Sequence, residues 1–126
     1  TNMKYMFDRA SAFNQPVSFD TSSVTSMQGM FYITSSFNQP LSFNSSKVTN
    51  MESMFTLATA FNQPLSFDVS GVTNVESCPN KLCMFNMFGV TNSLSAANKR
   101  LIGCAWASST AFNTAGYSSW ANSCPA

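Results

Sequence analysis

The side chains with the widest chemical reach in this chain are four cysteines, Cys78, Cys83, Cys104 and Cys124, in a sequence with no histidine. A structural zinc site needs four thiolate or imidazole ligands, usually as two close pairs. Here the gaps are Cys-x4-Cys and Cys-x19-Cys, with no imidazole to complete a set, so zinc is not expected. An even cysteine count in a short chain points instead to disulfides made in an oxidising compartment, with three pairings open. The pairing favoured here joins Cys78 to Cys83, closing a local loop around Pro79-Asn80. Cys104 then joins Cys124 and ties a C-terminal helix to the tail.

The other groups able to hold a ligand recur at fixed spacing. Asp20, Asn44 and Asp68 form a mixed column. Two carboxylates and an amide are sparse for calcium, which takes six to eight oxygens, so turn-capping is the expected role. Asn14, Asn38 and Asn62, with Gln15, Gln39 and Gln63, could present amides to sugars. Hydrogen bonding from one repeat to the next is the stronger expectation, because turn backbone groups must find partners. Ser18, Ser42 and Ser66 make an outward row one residue wide, the candidate surface for a glycan or for ice. Asn44-Ser45-Ser46 is an N-glycosylation sequon on a predicted exposed turn. No histidine, Cys–His pair or further pair of acids is available for catalysis. The chain is not expected to be an enzyme, and no cofactor or metal is expected.

These columns exist because the chain repeats itself. Phe13-Asn14-Gln15-Pro16-Val17-Ser18-Phe19 returns as Phe37-Asn38-Gln39-Pro40-Leu41-Ser42-Phe43 and as Phe61-Asn62-Gln63-Pro64-Leu65-Ser66-Phe67, 24 residues apart each time. A fixed period of this length marks an architecture of stacked units. Within one unit, Met51, Met54, Phe55, Ala58 and Phe61 have helical spacing. Thr49 with Glu52 forms a capping box, as do Thr25 with Gln28 and Thr73 with Glu76, so short helices are predicted from Thr25, Thr49 and Thr73. After each proline the pattern alternates, which predicts short parallel strands near 17–19, 41–43 and 65–67. Stacking turns each apolar position into a ladder: Phe7, Phe31 and Phe55; Phe13, Phe37 and Phe61; Phe19, Phe43 and Phe67. Met3, Met27 and Met51, and Met6, Met30 and Met54, make two more. All are assigned to the core, and Phe43, flanked on both sides, is expected to be among the costliest to remove.

The expected organisation is repeats over 1–92 and a helical cap over 93–126. Between them Met84-Phe85-Asn86-Met87-Phe88 restores the Met-x-x-Met-Phe pattern nine residues late, so a cysteine-bounded insertion is predicted near 76–84. Gly89-Val90-Thr91-Asn92 reads as the restart of a unit. In the cap, Leu94, Ala97, Leu101 and Ala105 share one helical face, with Ile102 and Trp106 beside it and Asn98, Lys99 and Arg100 opposite. Ser93 or Ser95 can serve as its N-cap. A second short helix or irregular turn then carries Phe112, Tyr117 and Trp120.

The unit Val-Thr-x-Met-x-x-Met-Phe-x-x-Ala-x-x-Phe-Asn-Gln-Pro-Leu-Ser-Phe-Asp resembles the BspA-like leucine-rich repeats, in the Met-Phe/Phe-Asn-Gln variant of mycoplasma lipoproteins, bacterial surface proteins and marine unicellular algae. The resemblance covers roughly residues 1–75, and Leu94–Trp106 is similar to the closing segment of the algal members. It implies an α/β repeat fold, a leucine-rich-repeat-like solenoid of coils, each a short parallel strand plus a short helix, with a helical C-terminal cap. It also implies extracellular or cell-surface placement, a structural or adhesive role and no catalytic residue.

Composition fits that setting. Only 9% of residues are charged and the net charge is +1, so nothing attracts nucleic acid or anionic lipid. No apolar run approaches the ~18 residues of a membrane span. The sequence opens inside a unit, which reads as a piece of a longer precursor with an uncovered N-terminal face. Partners are expected to be other protein chains or precursor repeats at that face, with filaments where the contact propagates, and possible glycans on the outward row.

Overall fold

The computed structural model describes residues 2–18, 20–73, 78, 81–122 and 124. Its plan is set by which residues 24 apart become neighbours. The amides of Met3, Tyr5, Phe7 and Arg9 donate to the carbonyls of Ser26, Gln28, Met30 and Tyr32 over 2.8–3.0 Å. Met27, Gly29, Phe31 and Ile33 donate in turn to Asn50, Glu52, Met54 and Thr56. Residues 2–13, 26–37 and 50–61 are therefore successive coils laid on one another.

Between these donors the chain makes tight turns, with Met6 N–H on Met3 O, Asp8 N–H on Tyr5 O and Ala10 N–H on Phe7 O. A left-handed residue interrupts each pair of turns. One column is Tyr5, Gly29, Ser53 and Asn86, at φ 55°, 59°, 55° and 56°. The second is Arg9, Ile33, Leu57 and Val90, at φ 61°, 56°, 60° and 57°. The helices predicted from Thr25 and Thr49 are thus replaced by zigzag turns. An α-helix would spend every N–H inside its own coil. Here every second N–H crosses to the next coil, and those bonds with the packing behind them offset about 1–2 kcal/mol per left-handed residue. Turns three residues long also bring i and i+3 to one side, which is why the apolar spacing imitates a helix. The capping boxes have no helix to cap: Gln28 Nε2 instead donates to Glu52 Oε2 in the next coil at 2.7 Å. The start predicted at Thr73 runs into residues 74–77, outside the described residues.

The strands predicted near 41–43 and 65–67 do not form as a paired ladder. Among the described residues the isolated parallel bridges are Asn2↔Ser26 and Ser26↔Asn50, at the entry to the turns. The segments still alternate, with Leu41, Phe43 and Ser45 buried and Ser42 and Asn44 exposed, but side chains hold them together. Asn38 N–H donates to Asn14 Oδ1 at 2.9 Å and Asn62 N–H to Asn38 Oδ1 at 2.8 Å. Thr21 Oγ1 donates to Asn44 O at 3.0 Å, and Ser45 Oγ to Asp68 O at 2.6 Å.

The core is a set of ring stacks. Phe7, Phe31, Phe55 and Phe88 succeed one another at centroid separations of 5.5, 5.5 and 5.6 Å. Phe13, Phe37 and Phe61 do so at 5.8 and 6.1 Å. Phe43 and Phe67 stand 6.3 Å apart, and Phe19, the expected start of that column, lies outside the described residues. Met27, Met30, Met51 and Met54 are fully buried beside them.

The fourth coil keeps the register after an insertion. Met51, Ser53, Phe55 and Leu57 donate to Cys83, Phe85, Met87 and Gly89, which sets Met84 on Met51. Cys78 and Cys83 are disulfide-bonded just before it. Gly89-Val90-Thr91-Asn92 is not a new unit. Val90 continues the left-handed column of Leu57 and is 55% exposed, whereas Val48 and Val72, the residues it imitates in sequence, are buried.

Helix α1, Ala96–Ala105, starts at Ser95, whose Oγ accepts Asn98 N–H at 3.1 Å. Its buried face differs from the predicted one. Ala97, Leu101 and Ala105 are exposed, and Asn98, Ile102, Gly103 and Trp106 face the coils or the tail. A three-residue helix, Thr110–Phe112, leads into a wide turn at Asn113–Tyr117 and a last 3-10 turn at Ser118–Trp120. The disulfide Cys104–Cys124 fastens this segment to α1.

Candidate functional site

The residues singled out from the sequence lie in the outward row, the Asp20, Asn44 and Asp68 column, the amide ladder and the two ends of the stack.

Ser18, Ser42 and Ser66 are all exposed. Ser18 and Ser42 border a groove of about 320 Å³ together with Asp20 and Asn44. A second groove of about 580 Å³ lies between residues 66–73 and 105–111. It occupies the place that a fourth Phe-Asn-Gln-Pro half would fill. Trp106 lines it but is 2% exposed, so no indole face is offered to a sugar.

Asp20, Asn44 and Asp68 each close the same small turn. Their Oδ1 atoms accept the amides of Ser22, Ser46 and Ser70 at 2.9, 3.3 and 2.8 Å. The Ser22 and Ser70 hydroxyls and amides hold the Asp20 and Asp68 carboxyls below their ordinary pKa. Among the described residues no group of three His, Cys, Asp or Glu side chains is placed to hold a metal.

The amide ladder is turned inward to the stack. Besides the rung bonds, Gln39 Nε2 donates to Asn14 Oδ1 and Gln63 Nε2 to Asn38 Oδ1, both at 3.1 Å. Each asparagine oxygen thus serves two donors of the following coil. Among the described residues no buried side-chain N or O is left without a partner.

At the C-terminal end the residues after the coils supply what a further coil would have supplied. Ser95 N–H and Asn98 Nδ2 both donate to Asn62 Oδ1 at 2.9 Å, in place of the next Asn and Gln. The Trp106 ring lies 5.3 Å from Phe67 and extends that column, and its Nε1–H donates to Phe67 O at 3.0 Å. Tyr117 Oη accepts Phe88 N–H at 3.1 Å, where every earlier Phe amide of that column finds a carbonyl. Burial raises the Tyr117 phenol above its ordinary pKa, and the Phe88 bond partly opposes the rise. Sequence reasoning did not find Ser95, Asn98 and Tyr117 in these roles. The available signal was Asn98, Ile102 and Trp106 at four-residue spacing, a face that scores poorly because it contains an amide.

At the N-terminal end the first coil has no such cover. Met6 is 51% exposed, against complete burial of Met30 and Met54, and Tyr5 is 43% exposed. Among the described residues the carbonyls of Lys4, Met6 and Asp8 accept no bond, while their counterparts Gln28, Met30 and Tyr32 do.

A family model described as a Mycoplasma protein of unknown function, DUF285, matches residues 1–92. The chain belongs to this family. The DUF285 match stops short of Ser95, so the family pattern covers the coils and not the residues that close them. No curated protein and no solved structure matches the chain. Among the described residues no helix of this DUF285 protein is long and apolar enough to cross a membrane.

Proposed function

We propose that this chain is an extracellular, non-enzymatic surface-repeat module with a structural or adhesive role. Its residues 1–92 are a leucine-rich-repeat-like solenoid of the BspA type, and 93–126 its helical cap. The observation that carries the reading is that the polar ladders of the repeats are bonded coil to coil and leave no buried side-chain group for chemistry among the described residues. Polar side chains in the repeats are used for stacking, and one end is closed by Ser95, Asn98, Trp106 and Tyr117. The other end offers Met6, Tyr5 and a row of free carbonyls. Two disulfides suit an oxidising exterior.

The open face suits another chain or a precursor coil, because a row of free carbonyls beside exposed apolar side chains forms a template for pairing. The free backbone groups of that face are carbonyls, which only accept, so two copies cannot join these faces by hydrogen bonds. The partner must bring donors, from a preceding coil or from a different surface of another copy, and a contact of the second kind propagates as a filament if its rotation does not close. Sedimentation velocity tests self-association. The expected result is concentration-dependent growth beyond two copies in the micromolar range, weakened at least tenfold by Met6→Glu. Association that ends at a dimer removes the filament, and a monomer at high micromolar concentration removes self-association altogether.

A second reading, glycan or ice binding by Ser18, Ser42 and Ser66, has the exposed row and its 320 Å³ groove in its favour. Binding to a glycan panel, or ice shaping, that is lost in Ser42→Tyr while self-association stays unchanged would favour it.

A further inference from the structure

We propose that Asn44 is an N-glycan acceptor and that its glycan covers the Ser18–Ser42 groove. Asn44-Ser45-Ser46 is the single Asn-x-Ser/Thr triplet in the sequence. The same turn recurs three times, but its first residue is Asp20, then Asn44, then Asp68, each with a serine two places on. Only the middle copy has a nitrogen to modify.

The folded geometry suits the acceptor. Asn44 is exposed, while Ser45 between the two sequon residues is 1% exposed and anchored through Oγ to Asp68 O. Asn44 O accepts Thr21 Oγ1, so the backbone is held from both neighbouring coils. Asn44 Oδ1 accepts both the Ser46 amide at 3.3 Å and the Ser46 hydroxyl at 2.9 Å. This is the local contact that the third sequon residue can make. Among the described residues Nδ2 makes no hydrogen bond, so modifying it breaks nothing in the fold.

The donor is a lipid-diphosphate-linked oligosaccharide, acted on by a membrane-bound transferase. Nδ2 attacks the anomeric carbon, the C–N bond forms and the bond from that carbon to the diphosphate oxygen breaks. One amide proton is released, and the lipid diphosphate leaves. Asn44 lines the groove with Ser18 and Ser42, so the attached sugar occupies the surface that the glycan- or ice-binding reading requires.

The inference rests on the extracellular reading, and one experiment separates the two. The chain, preceded by a cleavable secretion signal, is translated with endoplasmic-reticulum microsomes and analysed by gel mobility and peptide mass mapping. One amidase-sensitive mobility step is expected, mapped to Asn44 and lost in both Asn44→Asp and Ser46→Ala. Asn44→Asp keeps the turn that Asp20 and Asp68 make, so its purified protein is expected to melt with the parent. A translocated chain without the step, or with a step that survives Asn44→Asp, overturns the inference. Disulfide mapping of the same product reports on the oxidising route. Native disulfides without a glycan would leave the extracellular reading standing and remove only the acceptor.

Discussion

The first coil and the fourth are built from the same Met-x-x-Met-Phe pattern and meet opposite fates. Met3, Phe7 and Phe13 are half-buried and Met6 is exposed, whereas Met84, Met87 and Phe88 are buried. The difference lies in the segment that succeeds the fourth coil. An indole continues a phenyl column, a phenol oxygen replaces a carbonyl, and a helix N-terminus with Asn98 replaces an Asn-Gln pair. Contacts of a repeat can be supplied by residues that share no sequence with it. A stack is closed by matching its donors, acceptors and rings one by one, and burial by any apolar segment would leave the polar rows unpaired.

The largest test of this contrast compares two phenylalanines of one column. Phe55 has rings at 5.5 Å (Phe31), 4.4 Å (Phe61) and 5.6 Å (Phe88) and is fully buried. Phe55→Ala is expected to cost about 3–5 kcal/mol and Phe7→Ala roughly half of that or less, read by urea unfolding. Equal costs would mean that the first coil is covered in solution. Phe43, picked out from the sequence as among the costliest, keeps 8% exposure and ranks below Phe55.

A smaller effect is expected where the closing segment folds onto itself. Gly103 packs so closely on Trp120 and Ala121 that a Cβ would strike their backbone. The disulfide Cys104–Cys124 keeps that tail from moving away. Gly103→Ala should therefore cost about 1–3 kcal/mol by thermal or urea unfolding, as overpacking does. An unchanged melting temperature would show that 118–121 is not held against α1.

The smallest effect belongs to Tyr117→Phe, about 0.5–1.5 kcal/mol, since one hydrogen bond to Phe88 N–H is lost and the ring remains. Its pH dependence sharpens the result. The folded phenol titrates above the ordinary value near 10, so the folded state keeps a proton that the unfolded chain has lost. That contribution is complete below about pH 10 and disappears as pH rises through the folded pKa. Tyr5 acts in the same sense in both proteins, so the reading is the difference in alkaline slope between parent and variant. Parallel slopes would place Tyr117 in solvent.

The period, the ring ladders and the nine-residue delay at Met84 were legible because stacking forces one residue type onto the same position of each coil. The backbone conformation was not. Met51, Met54, Phe55 and Ala58 have a spacing that suits both a helix and a run of turns, and the two columns of left-handed residues distinguish them. Gly29 and Asn86 are types that favour positive φ, but nothing in the side chains of Ile33, Leu57 and Val90 announces it. The amide ladder was correctly weighed as coil-to-coil bonding. The face of α1 was misjudged because the rule that seeks apolar residues passed over Asn98, whose partner Asn62 lies 36 residues away. Val90 was misplaced for a related reason, since four letters matched a unit start that the hydrogen-bond register does not use.

The turn rows have one more property. From residues 3–9 to 26–32, from 27–33 to 50–56 and from 51–57 to 83–89, each bond runs from an N–H of the earlier coil to a C=O of the later one. Peptide dipoles on this side of the molecule therefore add along the stacking axis, as they do in a helix. The first coil carries the carbonyl, partially negative pole, and Lys4 is exposed there in the column that holds Gln28, Glu52 and Phe85 further along. The stack thus has an electrical direction set by its backbone, and a positive charge is most favourably placed at its first coil.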